Sequence, residues 1–210
     1  MSAAPALVLF DLDGVLVHYS HQARLDVLAE RSGKDAAAVK AALFDSGLES
    51  DSDRGVYSPQ GQAEELSRRL GARLTLEDCV AARKASMTVE PAMLALAHET
   101  AKHAGVAILT NNGLMLRDYL PQICPPLFPL FSARVFCSAQ FKIEKPDPDI
   151  FRRCLAALGV AEAQALFVDD NPANAEGARK AGLQAHHFTG AAALRAALAE
   201  LGVLEKKDAT

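Results

Sequence analysis

The 210-residue chain has no apolar run approaching the roughly 20 residues that a membrane span needs. Its start, Met1-Ser2-Ala3-Ala4-Pro5, carries no basic segment, and the apolar run that follows, Ala6 to Phe10, stops at Asp11, too early for a secretory signal. A basic surplus is missing as well: 22 basic residues against 26 acidic ones give a formal net charge of −4, which argues against a nucleic-acid partner. Cysteine is sparse. Cys79, Cys124, Cys137 and Cys154 lie far apart with no C-x-x-C pair, so buried thiols are expected rather than a zinc site or disulfides. There is no internal repeat and no low-complexity tract. These absences lead us to expect a cytoplasmic chain with neither membrane nor nucleic acid as partner. What is present is a globular composition, 50% hydrophobic and 23% charged, which excludes global disorder. The length suits one compact domain, or one domain carrying a smaller insert.

Short apolar runs alternate with amphipathic stretches. Ala6 to Phe10 is continuously apolar, as a strand buried on both faces of a parallel sheet must be. Val106–Leu109, Arg134–Cys137, Ala165–Val168 and Gln184–Phe188 repeat the pattern. Between them the spacing predicts helices: Ala92 to Ala104 with a stop at Gly105, a stripe from Ile150 to Leu158 ending at Gly159, and a helix capped by Asn171-Pro172 and stopped near Gly182. Strands separated by helices imply a doubly wound α/β fold with a parallel sheet. The stretch from His18 to Val89 differs, showing no convincing strand. It contains helical stripes around Leu25–Ala29 and Val39–Phe44, a Ser58-Pro59 start running to Gly71, and a capping box at Thr75-Leu76-Glu77-Asp78. We read it as a small helical domain, 18–89, inserted in the first crossover of a core formed by 1–17 and 90–210. The tail Glu205–Thr210 is expected to fray.

Ligands of such sheets bind at the carboxyl ends of the strands. There stand Asp11 and Asp13 after the first strand, Thr110, Asn111 and Asn112 after the second, and Asp169 and Asp170 after a later one. Singly, Asp-x-Asp-Gly is a common turn and Asp-Asp-Asn a common helix start. Together, four carboxylates at one sheet edge repel each other unless a cation intervenes, and oxygen-only ligands suit Mg²⁺. The expected site uses Asp11, Asp13 and Asp170, with Asp169 close by. Lys145, in Lys145-Pro146-Asp147-Pro148, supplies a fixed ammonium that neutralises a nucleophile and a phosphoryl group. The Thr110 hydroxyl and the amides of Asn111 and Asn112 offer donors to phosphate oxygens.

Phe10-Asp11-Leu12-Asp13-Gly14-Val15-Leu16, Leu109-Thr110-Asn111-Asn112, Lys145-Pro146-Asp147-Pro148-Asp149-Ile150-Phe151 and Phe167-Val168-Asp169-Asp170-Asn171 resemble the four ordered motifs of the haloacid dehalogenase-like (HAD) hydrolase superfamily. The resemblance covers roughly residues 5–17 and 90–190, and the insert resembles that superfamily's C1 cap. Within it, Asp53-Arg54-Gly55-Val56-Tyr57-Ser58 followed by Glu64-Glu65-Leu66 is similar to the sugar-phosphatase and epoxide-hydrolase N-terminal-domain branch. Lys142 departs from the glycine usual in the loop before the motif lysine. The resemblance implies a HAD-like Rossmannoid core and a Mg²⁺-dependent phosphatase. Asp11 would be the nucleophile that forms an aspartyl-phosphate, and Asp13 the general acid and then base. Lys145 would offset charge, and Thr110 and Asn111 would hold phosphate oxygens. Asp170, helped by Asp169, would anchor the metal, with the Asp13 backbone carbonyl completing the set.

The substrate is expected to be a small phosphorylated metabolite, a sugar phosphate or similar, taken by a monomer or homodimer. A phosphomutase would use the same two aspartates and remains an alternative. A 2-haloacid dehalogenase needs neither Asp13 nor the Asp169–Asp170 pair, and a retired binding module should have lost one of the motif residues. In the insert, Asp45, Glu49, Asp51 and Asp53 form an acidic stretch that reads as a solvated loop; facing the site, it would disfavour highly anionic substrates. His18, Tyr19 and His21 are candidates for the cleft entrance, whereas His186 and His187 read as structural. Pro125-Pro126 with Phe128 and Phe131 marks an irregular loop of no assigned role.

Overall fold

A computed structural model describes residues 4–205; all of the tail expected to fray except Glu205 lies outside the described residues. From the start the chain forms β1 (Leu7–Phe10) and β2 (Val17–Tyr19). The helices α1 (His21–Ser32), α2 (Ala36–Lys40), α3 (Leu48–Asp53), α4 (Pro59–Leu70) and α5 (Leu76–Ser86) come next, and then β3 (Met87–Val89). After it come α6 (Pro91–Thr100), β4 (Gly105–Thr110), α7 (Leu114–Ile123), β5 (Val135–Cys137), α8 (Ser138–Phe141), α9 (Pro148–Leu158), β6 (Ala165–Asp169), α10 (Pro172–Lys180), β7 (Gln184–His187) and α11 (Ala191–Glu200).

The main sheet has the order β5-β4-β1-β6-β7, and every pairing in it is parallel. β1 is its centre and is apolar throughout because both faces are covered. Val8 and Phe10 join Val106, Ile108, Leu166 and Val168 beneath α6, α7 and α11. Leu7 and Leu9 face the other way, with Leu109 and Phe167, against Ile150, Phe151 and Leu155 of α9. Each such buried side chain contributes about 1.5–3 kcal/mol of transfer free energy. The loop 125–131 also gains a role: Phe131 is fully buried and sits edge-on to Phe10, centroids 6.3 Å apart, bracing the residue before Asp11.

Local signals set most helix ends. Ser58 caps α4 by accepting from the Gly61 amide, Pro59 opens it, and Gly71 closes it in the left-handed conformation. The Thr75–Asp78 capping box starts α5. Two expectations need correction. The 18–89 stretch does hold strands: β2 and β3 pair antiparallel, Val17 with Val89 and Tyr19 with Met87, tying the base of the insert. And α6 ends at Thr100, because Gly105 opens β4 rather than stopping a helix, and the residues between them form turns. Between α2 and α3 the chain makes one π-helical turn, Ala41–Asp45.

Candidate active site

The carboxyl ends of β1, β4 and β6 converge on one point. Asp11 follows β1, its backbone N–H held by the Val168 carbonyl at 2.8 Å. Its Oδ1 accepts from the Leu12 N–H at 2.7 Å and lies 2.9 Å from Lys145 Nζ. Lys145 is buried and reaches a second carboxylate, Asp169 Oδ2, at 2.7 Å. Asp169 is held on every side: Asn174 Nδ2 reaches both of its oxygens, at 3.1 and 3.0 Å, and the Asn171 N–H donates to Oδ1 at 2.8 Å. The Lys145 backbone is clamped by the Asn111 side chain, whose Nδ2 donates to Lys145 O at 2.9 Å and whose Oδ1 accepts from Lys145 N at 2.8 Å.

Burial pushes the Asp11 carboxyl up to about 7; Lys145 opposes this, and Asp169 adds to it. Burial works against the Lys145 charge too, but the Asp11 and Asp169 carboxylates outweigh it and hold the ammonium above its ordinary range. Asp170 is raised by burial and by Asp169. Its carboxylate lies over Gly14, where an added Cβ would stand 2.4 Å from Oδ2, and Gly14 has φ +81°. A side chain at residue 14 would thus be strained and would displace Asp170.

Asp11, Asp169 and Asp170 each bring an oxygen within 4.8 Å of the others, a donor set that fits a hard cation. The Asp13 carboxylate is not part of this trio; the expected set also takes Asp13 through its backbone carbonyl. The carboxylate turns instead to Asn112, accepting from Nδ2 at 3.0 Å. The Asn112 N–H is not free for phosphate either, because it donates to Ser138 Oγ at 3.0 Å. Thr110 Oγ1 accepts from Asn112 Nδ2 at 2.8 Å, which leaves its own proton to donate elsewhere.

A cavity of about 460 Å³ lies beside Asp13, walled by Tyr19, His21, Glu49, Asp53, Arg83 and Asn112 among others. The acidic stretch divides: Asp45 pairs with Lys40 and Asp51 with Arg54 at the surface, while Glu49 and Asp53 face the cavity. His18 lines a different hollow, with Gly14 and Glu90. His187 touches the Asp170 carbonyl through Nε2 at 3.0 Å, and His186 is lowered by burial and by His187. All four cysteines are free and buried, and burial raises their thiols to about 11 or 12. Lys142 takes φ 56°, the left-handed conformation that a glycine there would adopt.

Sequence reasoning missed Asn174 and Arg83. Asn174 lies in the first turn after the Asn171 cap, which aims it back at the strand end. Arg83 falls on the buried face of α5 with Cys79, Val80 and Ser86, and a charge on that stripe was its signal.

A family model described as haloacid dehalogenase-like hydrolase matches residues 5–182. The chain belongs to that family. Among relatives, this HAD hydrolase is 27% identical over 190 residues to Phosphatase MT3486 of Mycobacterium tuberculosis, covering 85% of each chain. It is 28% identical over 182 residues to the validoxylamine A 7'-phosphate phosphatase of Streptomyces hygroscopicus subsp. limoneus, covering 84% of this chain and 82% of that one. Its fold is shared with a HAD family enzyme of Bacteroides thetaiotaomicron solved with magnesium and inorganic phosphate. That match has a TM-score of 0.72 and 17% identity, over 87% of this chain and 93% of that one.

Proposed function

We propose that this hydrolase is a Mg²⁺-dependent phosphatase cleaving a small phosphomonoester, a sugar phosphate or similar metabolite, through an aspartyl-phosphate on Asp11. The observation that carries this is the trio of Asp11, Asp169 and Asp170 around one point, with Lys145 bridging Asp11 and Asp169. The phosphatase names of the two relatives, and the magnesium and phosphate of the Bacteroides enzyme, support it. Asp11, Asp170 and the Asp13 carbonyl would hold the cation, with Asp169 beside it. When bound, the cation supplies positive charge that favours ionised Asp11 and offsets the phosphoryl oxygens.

The chain's own groups do the rest. Asp11 attacks phosphorus as the ester P–O bond breaks, and Asp13 gives its proton to the leaving oxygen. Asp13 then takes a proton from a water that attacks phosphorus, breaking the bond to Asp11 and releasing orthophosphate. Thr110 Oγ–H and the Asn111 N–H hold phosphoryl oxygens, and Lys145 neutralises the charge shared between nucleophile and phosphoryl group. Residues 18–89 act as a cap over the cavity, on a core of 1–17 and 90–210.

Orthophosphate release from a panel of phosphorylated metabolites tests the reading. EDTA should stop turnover and Mg²⁺ restore it, and Asp11→Asn should lose on the order of 10³-fold or more with the fold intact. Near-normal turnover of Asp11→Asn removes the nucleophile, indifference to EDTA removes the cation, and feeble phosphate release from every ester favours a mutase.

A further inference from the structure

Asp13 owes its orientation to a chain of contacts that begins in the inserted helices. Its Oδ2 accepts from Asn112 Nδ2 at 3.0 Å, while Oδ1 is buried and unpartnered. Asn112 is fully committed: its other N–H reaches Thr110 Oγ1, and its Oδ1 accepts from the Arg83 guanidinium of α5. Arg83 is buried, stacks 5.2 Å from the Tyr19 ring centroid and lies 3.4 Å from Glu49 of α3. Glu49 is pinned by Arg24 of α1, with Nη2 at 2.9 Å, and by Gln62 of α4 at 3.0 Å. Four inserted helices therefore meet at Glu49, and from that knot Arg83 crosses to the end of β4.

Buried charges of this kind add little net stability, but they fix geometry. An asparagine amide can face either way, and the two faces act oppositely on a neighbouring carboxylate. Arg83 supplies donors only, so it selects the orientation in which Oδ1 faces it and Nδ2 faces Asp13. With Arg83 gone, the flipped amide would present oxygen to the Asp13 carboxylate.

We infer that Arg83 is a positioning residue for proton transfer, acting through Asn112 to hold the Asp13 carboxylate in place. The inference rests on the proposed acid–base role of Asp13. Because Arg83 belongs to the insert and Asn112 to the sheet, the proton donor is in register only while the insert is docked.

The test compares kcat/KM for phenyl phosphate, whose leaving oxygen is as basic as a tyrosine phenolate and needs a proton, with that for p-nitrophenyl phosphate, which departs as a stable anion. The ratio kcat/KM reports the leaving-group step and not the later hydrolysis of the intermediate. Arg83→Met and Asn112→Ala should each lose on the order of tenfold more on phenyl phosphate than on p-nitrophenyl phosphate. Arg83 makes both the Asn112 and the Glu49 contact through Nη2; a lysine ammonium ends one bond nearer the backbone than that atom, so Arg83→Lys keeps the charge but should show the same selective loss even if Arg83→Met fails to fold. The double variant Arg83→Met/Asn112→Ala should be no more selective than Asn112→Ala alone. Equal losses on the two esters in the Arg83 and Asn112 variants, with Asp13→Asn still separating them, overturn the inference and leave Asp13 as the acid. If Asp13→Asn does not separate them either, the acid–base assignment of Asp13 fails, and the inference with it.

Discussion

Asp53 is a carboxyl group that its surroundings keep uncharged. Its Oδ1 is buried with no partner, and burial, then the Glu49 charge, push it up to about 8 against the opposing pull of Arg83 and Arg24. The folded chain thus holds this proton up to about pH 8, while the unfolded chain releases it near the ordinary aspartate value of 3.8. Between those values the folded state binds more protons, so this contribution to stability is complete below the lower value and is lost as pH rises through the upper one. Asn is a neutral isostere with no proton to lose. Asp53→Asn should therefore gain stability over the wild type as pH rises from about 5 to about 8.5, read as a growing gap between urea midpoints. A gap that stays flat across that range would show that Asp53 is ionised in the fold. At this scale the meeting of Asp11, Asp169 and Asp170 was legible, because carboxylates stand at the ends of neighbouring parallel strands, and Lys145, in the loop before α9, was legible as their counter-charge. Arg83 and Asn174 were not, because their importance lies in which side chain they face, and that is set by packing between segments distant in sequence.

The helix α10 positions the site as much as any single side chain does. At Gly177 an added Cβ would stand 2.1 Å from the Pro146 carbonyl oxygen, so this helix packs directly on the loop that carries Lys145. Gly177→Ala must push that loop or the helix away. We expect a stability loss of about 1–3 kcal/mol from overpacking, together with a fall in turnover as the Lys145 ammonium leaves Asp11. Denaturant midpoint and orthophosphate release measure the two, and an Ala variant that matches the wild type in both would rule out the close approach. Elements with local signals were readable from the chain: the Ser58-Pro59 start of α4, the Thr75 box of α5 and the Asn171-Pro172 start of α10 all form where the caps stand. The short strands β2 and β3 were not, because three residues each carry too little pattern and their pairing joins the two ends of the insert. The same holds for Asp13, where the sequence places the carboxylate at the strand end but the contact with Asn112 decides its partner.

Across the whole molecule, the insert and one face of the sheet share a single apolar core. Leu28, Leu43, Leu66 and Val80 of the insert belong to the same buried cluster as Met115, Leu116 and Leu120 of α7 and as Val8 and Phe10 of β1. A sequence division at 18–89 would suggest two units that melt separately, each around its own core. The continuity of the cluster argues otherwise, since separating the insert would expose apolar surface on both sides at about 25 cal/mol per Å². The ion-paired knot of Arg24, Glu49 and Arg83 works in the same direction, because undocking takes Arg83 from Asn112. Thermal unfolding should accordingly be one transition, with equal calorimetric and van't Hoff enthalpies and with coincident far-ultraviolet and tyrosine signals. The tyrosines suit this measurement: Tyr19 and Tyr57 report on the insert and its base, and Tyr119 reports on α7. Two resolved transitions, with the tyrosine signal following the earlier one, would mean that the insert melts off an intact sheet and that the shared core contributes little to holding it.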